Sequence, residues 1–315
     1  MIVEAVRGGH VEGTHSIHAV MVDRSGRVLE RFGAPMPTTW RSAAKPFQLE
    51  VSLGLLGGGQ DVPDEQIAVG TSSHHAEDLH LVAVRAILAR YGCTEEDLFC
   101  GAHPPSDELS ARALIANGLA PTALHNNCSG KHAFMAAASK RLGALRDYRP
   151  VAHPLQVRIL DSIAARSGHR PATVIDGCGV PCFVLPIDAM ARAWAEVAHE
   201  MNEGGPLGRI GHCMVSQWRH ASGRNATDGA LMRLATRPLV AKVGAEGLMC
   251  LALPDAGVGI VVKSETGVDK ARQIAVVDVL NTWFPGLLPD GFGADWRRIS
   301  NWVGTECGSW QTRIV

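Results

Sequence analysis

What the chain lacks narrows it first. It carries no surplus of charge: 30 basic against 31 acidic residues leave a formal net charge of -1, so no nucleic acid or other polyanion is expected as a partner. No run approaches the ~18 apolar residues of a membrane-spanning helix. No signal-peptide pattern stands ahead of the first strand-like segment. A membrane partner is therefore not expected either. No unit of ~20–50 residues recurs, which excludes solenoids and arrays. The 8 cysteines are scattered along the chain, and no Cys-x-x-Cys pair or His spacing composes a zinc finger. Dispersed cysteines in a long chain read as reduced thiols of a cytoplasmic protein. What is present is 46% hydrophobic and 19% charged residues among 315, the profile of a compact globular enzyme of one large domain or two closely packed ones. The 34 glycines point to many tight turns.

The chemistry starts at Arg41-Ser42-Ala43-Ala44-Lys45-Pro46. Positions i and i+3 share a helix face, so Ser42 and Lys45 are neighbours on one. A serine hydroxyl is a poor nucleophile near neutral pH. A lysine amine can take its proton only if burial or a second cation lowers the lysine pKa. Ser-x-x-Lys is thus the smallest covalent unit of a serine hydrolase that does without a histidine base. A polar helix start with a solvated lysine is the competing reading. Pro46 is cheap only in a first turn, which sets Ser42 at or beside a helix N-terminus, where amide donors favour a developing oxyanion. The helix over 42–56 is apolar around much of its circumference, hence central.

Further along, residues 16–33 read as a β-hairpin turning at Ser25-Gly26. Gly70-Thr71-Ser72-Ser73-His74-His75 reads as a strand-to-helix junction ahead of a helix over about 78–90, and its hydroxyls could equally be N-caps. Helices are predicted over 106–117, 155–167, 186–200 and 268–283, and at both ends of 213–237. Strands over 248–253 and 258–263 follow Lys242. Cys128 and Lys131 open another helix, where a buried cysteine with an incidental lysine is the plain alternative. Cys178 and Cys182 stand in a glycine-rich turn after a strand. An early Ser-x-x-Lys, a late Lys-x-Gly, two antiparallel strands and a closing helix together resemble the serine β-lactamase and serine glutaminase architecture. That implies an α/β (α+β) fold with an antiparallel sheet flanked by helices and an inserted helical region. One compact catalytic unit over 1–315 is expected, with a sheet subdomain from about 1–40 and 238–290 and a helical subdomain from about 41–237.

Five stretches sharpen the resemblance: Arg41-Ser42-Ala43-Ala44-Lys45-Pro46, Ser72-Ser73-His74, Asn126-Asn127-Cys128-Ser129-Gly130-Lys131-His132, Asp176-Gly177-Cys178-Gly179-Val180-Pro181 and Lys242-Val243-Gly244-Ala245-Glu246-Gly247. They resemble the signatures of the asparaginase II family of rhizobial type, over roughly residues 5–275. The resemblance implies two Ser-Lys pairs at one site, Ser42 with Lys45 and Ser73 with Lys242. It implies Zn2+ held by Cys128, Lys131 and Cys178, the lysine being neutral as a ligand. It implies a pocket lined by Arg41, His132 and Asp176, and a homodimer. The loop around Arg224 departs from the family's pattern and takes no role, and His75 stands where many members have a smaller residue. The activity implied is hydrolysis of the small-molecule substrate L-asparagine to L-aspartate and ammonia through an ester on one serine, Ser42 by preference. A glutaminase or β-lactam-recognising hydrolase of the same fold is one rival, and a zinc-stabilised amino-acid-binding protein is another.

Overall fold

The structure is a computed structural model, described here for residues 1–314. The chain opens with β1 (Ile2–Arg7), β2 (His10–Asp23), β3 (Val28–Phe32) and the short β4 (Pro37–Thr39). Six helices follow: α1 (Lys45–Leu55), α2 (Asp64–Thr71), α3 (Asp78–Arg90), α4 (Glu108–Ala116), α5 (Ser129–Arg141) and α6 (Pro154–Ser167). Then come β5 (Ala172–Ile175), β6 (Pro181–Pro186), α7 (Ile187–Glu203), α8 (Pro206–Ser216), α9 (Trp218–Ala221) and α10 (Thr227–Leu234). The last section holds β7 (Val240–Gly244), β8 (Leu248–Leu253), β9 (Val258–Ser264), α11 (Asp269–Trp283), β10 (Arg298–Ser300) and β11 (Glu306–Arg313).

The main sheet is antiparallel in the order β10-β11-β1-β2-β9-β8-β7, with β3 also paired to β2. β8 and β9 are buried at every position, so both faces of the sheet's centre are covered. α7 packs on β2, β8 and β9, α11 packs on the same three strands, and the two helices do not meet. They therefore lie on opposite faces. Gly259 on β9 shows how close the first approach is: a Cβ there would stand 1.9 Å from the Ala191 carbonyl of α7. The apolar helix α1 is buried among α5, α6 and α8, with Phe47 against Trp40 and Trp194.

The antiparallel sheet with flanking helices agrees with the fold class expected from sequence. Four local expectations change. The hairpin is part of a longer meander that starts at Ile2. The residues ahead of Ser72-Ser73 form the helix α2 rather than a strand: Pro63 precedes it and Asp64 and Glu65 occupy its first turn, where acidic groups favour a helix. A second, three-stranded sheet β4-β6-β5 takes β5 and β6 from the region read as helical. The last residues supply two strands to the main sheet.

Candidate active site

Ser42 sits on a 3₁₀ turn, Arg41–Ala44, that runs into α1, with Pro46 in the first turn of that helix. Trp40, fully buried, donates its backbone N–H to the Phe183 carbonyl at 2.8 Å and anchors the turn to β6. Arg41 then takes a φ of 47°, a left-handed conformation that a non-glycine side chain adopts at a cost. The strained residue immediately before Ser42 turns the chain from the strand into the helix.

Lys45 is fully buried, and so is Lys242 on β7. Both reach the same hydroxyl. Lys45 Nζ lies 3.1 Å and Lys242 Nζ 3.2 Å from Ser73 Oγ. The other partners of the two amines differ. Lys45 Nζ is 2.5 Å from the Ser72 carbonyl and 3.4 Å from that of Asn127. If the amine is neutral, the two carbonyls take its two N–H bonds and its lone pair is left for the Ser73 proton. Lys242 Nζ is 3.1 Å from the Val243 carbonyl and 3.5 Å from Asp228 Oδ2, three acceptors that suit an ammonium. Burial lowers the Lys45 pKa, with Cys128 opposing and Lys131 adding to the shift. Burial also brings Lys242 down, to about 8, against the upward pull of Asp228. Of the two causes open from the sequence, burial and a second cation, burial is the larger for both lysines.

Asp228 is buried and opens α10. It accepts from Ser222 Oγ at 2.8 Å, from the Gly229 N–H at 3.0 Å and from the Val243 N–H at 3.0 Å. Burial raises its pKa, but Lys242 and these donors outweigh that and hold it below the ordinary value. Ser73 is fixed from its other side by His74, whose N–H donates to the Asn127 carbonyl at 3.1 Å and whose Nε2 lies 2.8 Å from Ser129 Oγ. Ser129 Oγ donates to the Leu124 carbonyl, so the imidazole is the donor to Ser129, and its Nδ1 accepts from the Ala76 N–H. Burial keeps His74 neutral by pushing its pKa down.

A cavity of about 300 Å3 opens onto Ser42 and Ser73, and its wall includes His75, Ser106, Asn127, Thr227, Asp228, Asp269 and Arg272. A larger one, about 780 Å3, lies beyond the shared residues Asn225 and Ala226, between Trp218 and Trp296. It holds neither the serines nor the lysines, so the chemistry belongs to the smaller cavity.

The thiols gather next to this centre. Cys128, at the start of α5, and Cys178 are both buried, and Lys131 Nζ lies 3.1 Å from Cys178 Sγ. Hydrogen bonding from Cys178 lowers the Cys128 pKa, against burial and with help from Lys45 and Lys131, and the same bond and burial push Cys178 up. Burial works against the Lys131 ammonium, yet Cys178 and Cys128 outweigh it and raise its pKa. Among the described residues no three His, Cys, Asp or Glu side chains gather to hold a metal; the third donor here is the lysine amine. Two thiols and one amine, converging in a buried place, form a soft N/S donor set that suits zinc.

The family model of L-asparaginase II matches residues 3–308. The chain belongs to the L-asparaginase II family. Membership places it among amidohydrolases. No helix among the described residues is long and apolar enough to cross a membrane. Among curated proteins none matches the chain in sequence. Among solved structures, Mglu in its native form is similar at 17% identity and a TM-score of 0.49 over 88% of this chain and 66% of its own. The native form in 4.3 M NaCl has 16% identity and a TM-score of 0.48 over 88% and 62%. The chain thus spans about three fifths to two thirds of Mglu. A β-lactamase from Mycobacterium bovis is similar at 12% identity and a TM-score of 0.42 over 85% and 94%.

In this asparaginase II chain the sequence-predicted residues fall into two groups. Ser42, Lys45, Ser73 and Lys242 come together, though both amines bond Ser73 and neither bonds Ser42. Cys128, Lys131 and Cys178 come together beside them. Arg41, His132 and Asp176 are not on the wall of the 300 Å3 cavity. Arg41 Nε donates to Asp176 Oδ1 at 2.8 Å, and Asp176 stands next to the thiol cluster with Oδ2 3.8 Å from Cys178 Sγ. His132 is buried, its Nδ1 2.9 Å from Tyr148 Oη and its Nε2 without a partner. Sequence reasoning missed Asp228, Arg272 and Glu77. Glu77 accepts from Arg219 at 2.8 Å and from the Arg224 N–H at 2.7 Å, so the loop given no role is tied down behind the cavity. Asp228 follows Thr227 at a helix start and reads as capping chemistry, and nothing local in the sequence separates the two uses.

Proposed function

We propose that the enzyme hydrolyses the side-chain amide of L-asparagine to L-aspartate and ammonia, with Ser42 as nucleophile. The observation that carries this reading is the line Lys45–Ser73–Lys242, two buried amines on one half-buried hydroxyl, on a cavity that also presents Ser42. A hydroxyl has one proton, so Ser73 accepts from the charged Lys242 and donates toward the neutral Lys45. As Ser42 Oγ attacks the amide carbon, the lone pair of Lys45 Nζ turns from the Ser73 proton to that of Ser42 and takes it. The Lys45 ammonium then donates to Ser73, and Ser73 hands its own proton to the departing nitrogen. The C–N bond breaks, ammonia leaves, and a β-aspartyl ester stays on Ser42. Water cleaves that ester with Lys45 again as base. Lys242 remains an ammonium throughout and holds Ser73 Oγ in register. Zinc held by Cys128, Lys131 and Cys178 would supply a Lewis acid in the thiol cluster next to Lys45.

The test is mass spectrometry of the protein quenched with a reactive asparagine analogue, alongside ammonia release from asparagine and glutamine. Acyl mass is expected on the peptide bearing Ser42 in the wild type and, formed more slowly, in Ser73→Ala. Ser42→Ala should carry none, and each variant should lose orders of magnitude in turnover. An ester on Ser73 in the Ser42→Ala protein would transfer the nucleophile's role to Ser73. Faster release from glutamine would replace the substrate.

A further inference from the structure

Arg272 is an unexplained charge. It lies in the first turn of α11, is 4% exposed, and contributes to the wall of the cavity that holds Ser42 and Ser73. A guanidinium has five N–H donors. Here Nη2 donates to Asp269 Oδ1 at 3.2 Å, a carboxylate whose side chain is 66% exposed. Nε and Nη1 are buried and have no hydrogen-bond partner. A permanently charged group buried with most of its donors unmet is costly unless something else satisfies it.

The rest of the wall does not do so. Its serines, Thr227, Asn127 and Asn225 are neutral. Asp228 adds a favourable charge near Arg272 but accepts no hydrogen bond from it, its own partners being Lys242, Ser222, Gly229 and Val243. Arg272 is the one arginine or lysine among the wall residues. Asp269, three residues earlier on the same helix, is also on the wall. Together they present a cation and an anion side by side, the complement of a zwitterion.

We propose that Arg272 binds the α-carboxylate of the substrate, making this cavity selective for amides of free α-amino acids. Asp269 then faces the α-ammonium group. The inference rests on the amidohydrolase reading above and adds the residue that would decide which amides enter. Arg272 touches no bond that is made or broken. Its effect is on substrate affinity and on discrimination between substrates with and without a carboxylate.

The experiment compares L-asparagine with L-asparaginamide, whose α-carboxylate is replaced by a neutral amide, as substrates of the wild type, Arg272→Gln and Arg272→Lys. The wild type should prefer L-asparagine by at least about tenfold in kcat/KM. Arg272→Gln should raise KM for L-asparagine on the order of 10–100-fold, with little change in kcat, and leave L-asparaginamide within a few fold. Arg272→Lys should recover part of the loss. Equal use of the two substrates by the wild type overturns the proposal, whether or not Arg272→Gln folds. So does a proportional loss on both substrates in a folded variant, which is what a purely structural arginine would give. If the wild type releases no ammonia from either, the hydrolase reading fails instead. Calorimetric titration with L-aspartate then decides the Arg272 assignment: binding that Arg272→Gln abolishes and Arg272→Lys partly restores upholds it, and equal binding or none refutes it.

Discussion

At the scale of single residues, the proposed mechanism requires two lysines of different charge within one hydrogen-bonded chain. Lys45 has two carbonyls, a hydroxyl and the Cys128 thiol around its amine, whereas Lys242 has the buried Asp228. Activity should rise with pH as Lys45 loses its proton and fall as the pair gives up the proton of Lys242, near pH 8. Asp228→Asn removes the group that pulls Lys242 up, so the alkaline limb should move to lower pH by about one unit or more. A kcat–pH profile of the two proteins checks this, and superimposable alkaline limbs would refute the assignment. The sign for stability follows from the same shift. The folded-state value of about 8 lies below the ordinary 10.5, so the unfolded chain binds the proton more tightly between them, and stability should rise with pH through that window. The Lys242 share is on the order of 3 kcal/mol. Ser42 and Lys45 were legible because a hydroxyl and an amine three residues apart carry their chemistry in residue type and spacing, whereas Lys242 was legible only through the family resemblance. Asp228 and Arg272 were not, because an aspartate at a helix start and an arginine inside a helix have ordinary uses at those places.

At the scale of elements, the site depends on how closely α2 and α5 approach. α2 ends at Thr71 and delivers Ser73, while α5 begins at Ser129 and delivers Lys131 just after Cys128. Two glycines sit at the contact. A Cβ on Gly130 would stand 2.2 Å from the Val69 carbonyl, and one on Gly70 would meet the Phe134 ring at 2.9 Å. This gives the Ser129-Gly130-Lys131 run a mechanical reason beside its chemical one. Gly130→Ala should destabilise by roughly 1–3 kcal/mol and cut turnover by a factor on the order of 100, because the serine turn would shift relative to the thiols. Gly54→Ala, on α1 with open space around it, should instead be neutral or stabilising by up to about 1 kcal/mol. Thermal melts and steady-state rates of the two variants check this, and a Gly130→Ala protein with wild-type turnover would show that the contact does not position the site. The helices α3, α6, α7 and α11 were legible from their periodicity. α2 was not: six of its eight residues are buried, so no polar face marks a period of 3.6.

At the scale of the whole molecule, the chain's two ends meet in the main sheet. β11 pairs with the full length of β1, from Ile2 opposite Arg313 to Arg7 opposite Gly308, and the Trp310 ring lies 5.6 Å from the His15 ring on β2. The antiparallel sheet and its closing helix could be read from the order of strands and helices. This outer pairing could not, since β11 is half-exposed and mixed in composition, and pairing partners some 300 residues apart leave no local trace. The pairing has a clear duty. It covers the edge of β1, which would otherwise present a row of unpaired N–H and C=O groups to other chains. The 300 Å3 cavity takes no residue beyond Arg272. Removing residues 298–315 should therefore separate stability from chemistry. The shortened protein should melt several degrees lower, as a loss of about 2 kcal/mol or more would produce, and associate with itself in light scattering. The soluble fraction should keep KM for its substrate within a few fold. A shortened protein that stays monodisperse with an unchanged Tm would mean the edge is protected by something other than β11. A large rise in KM would mean that the sheet's outer strands hold α11, and with it Arg272, in place.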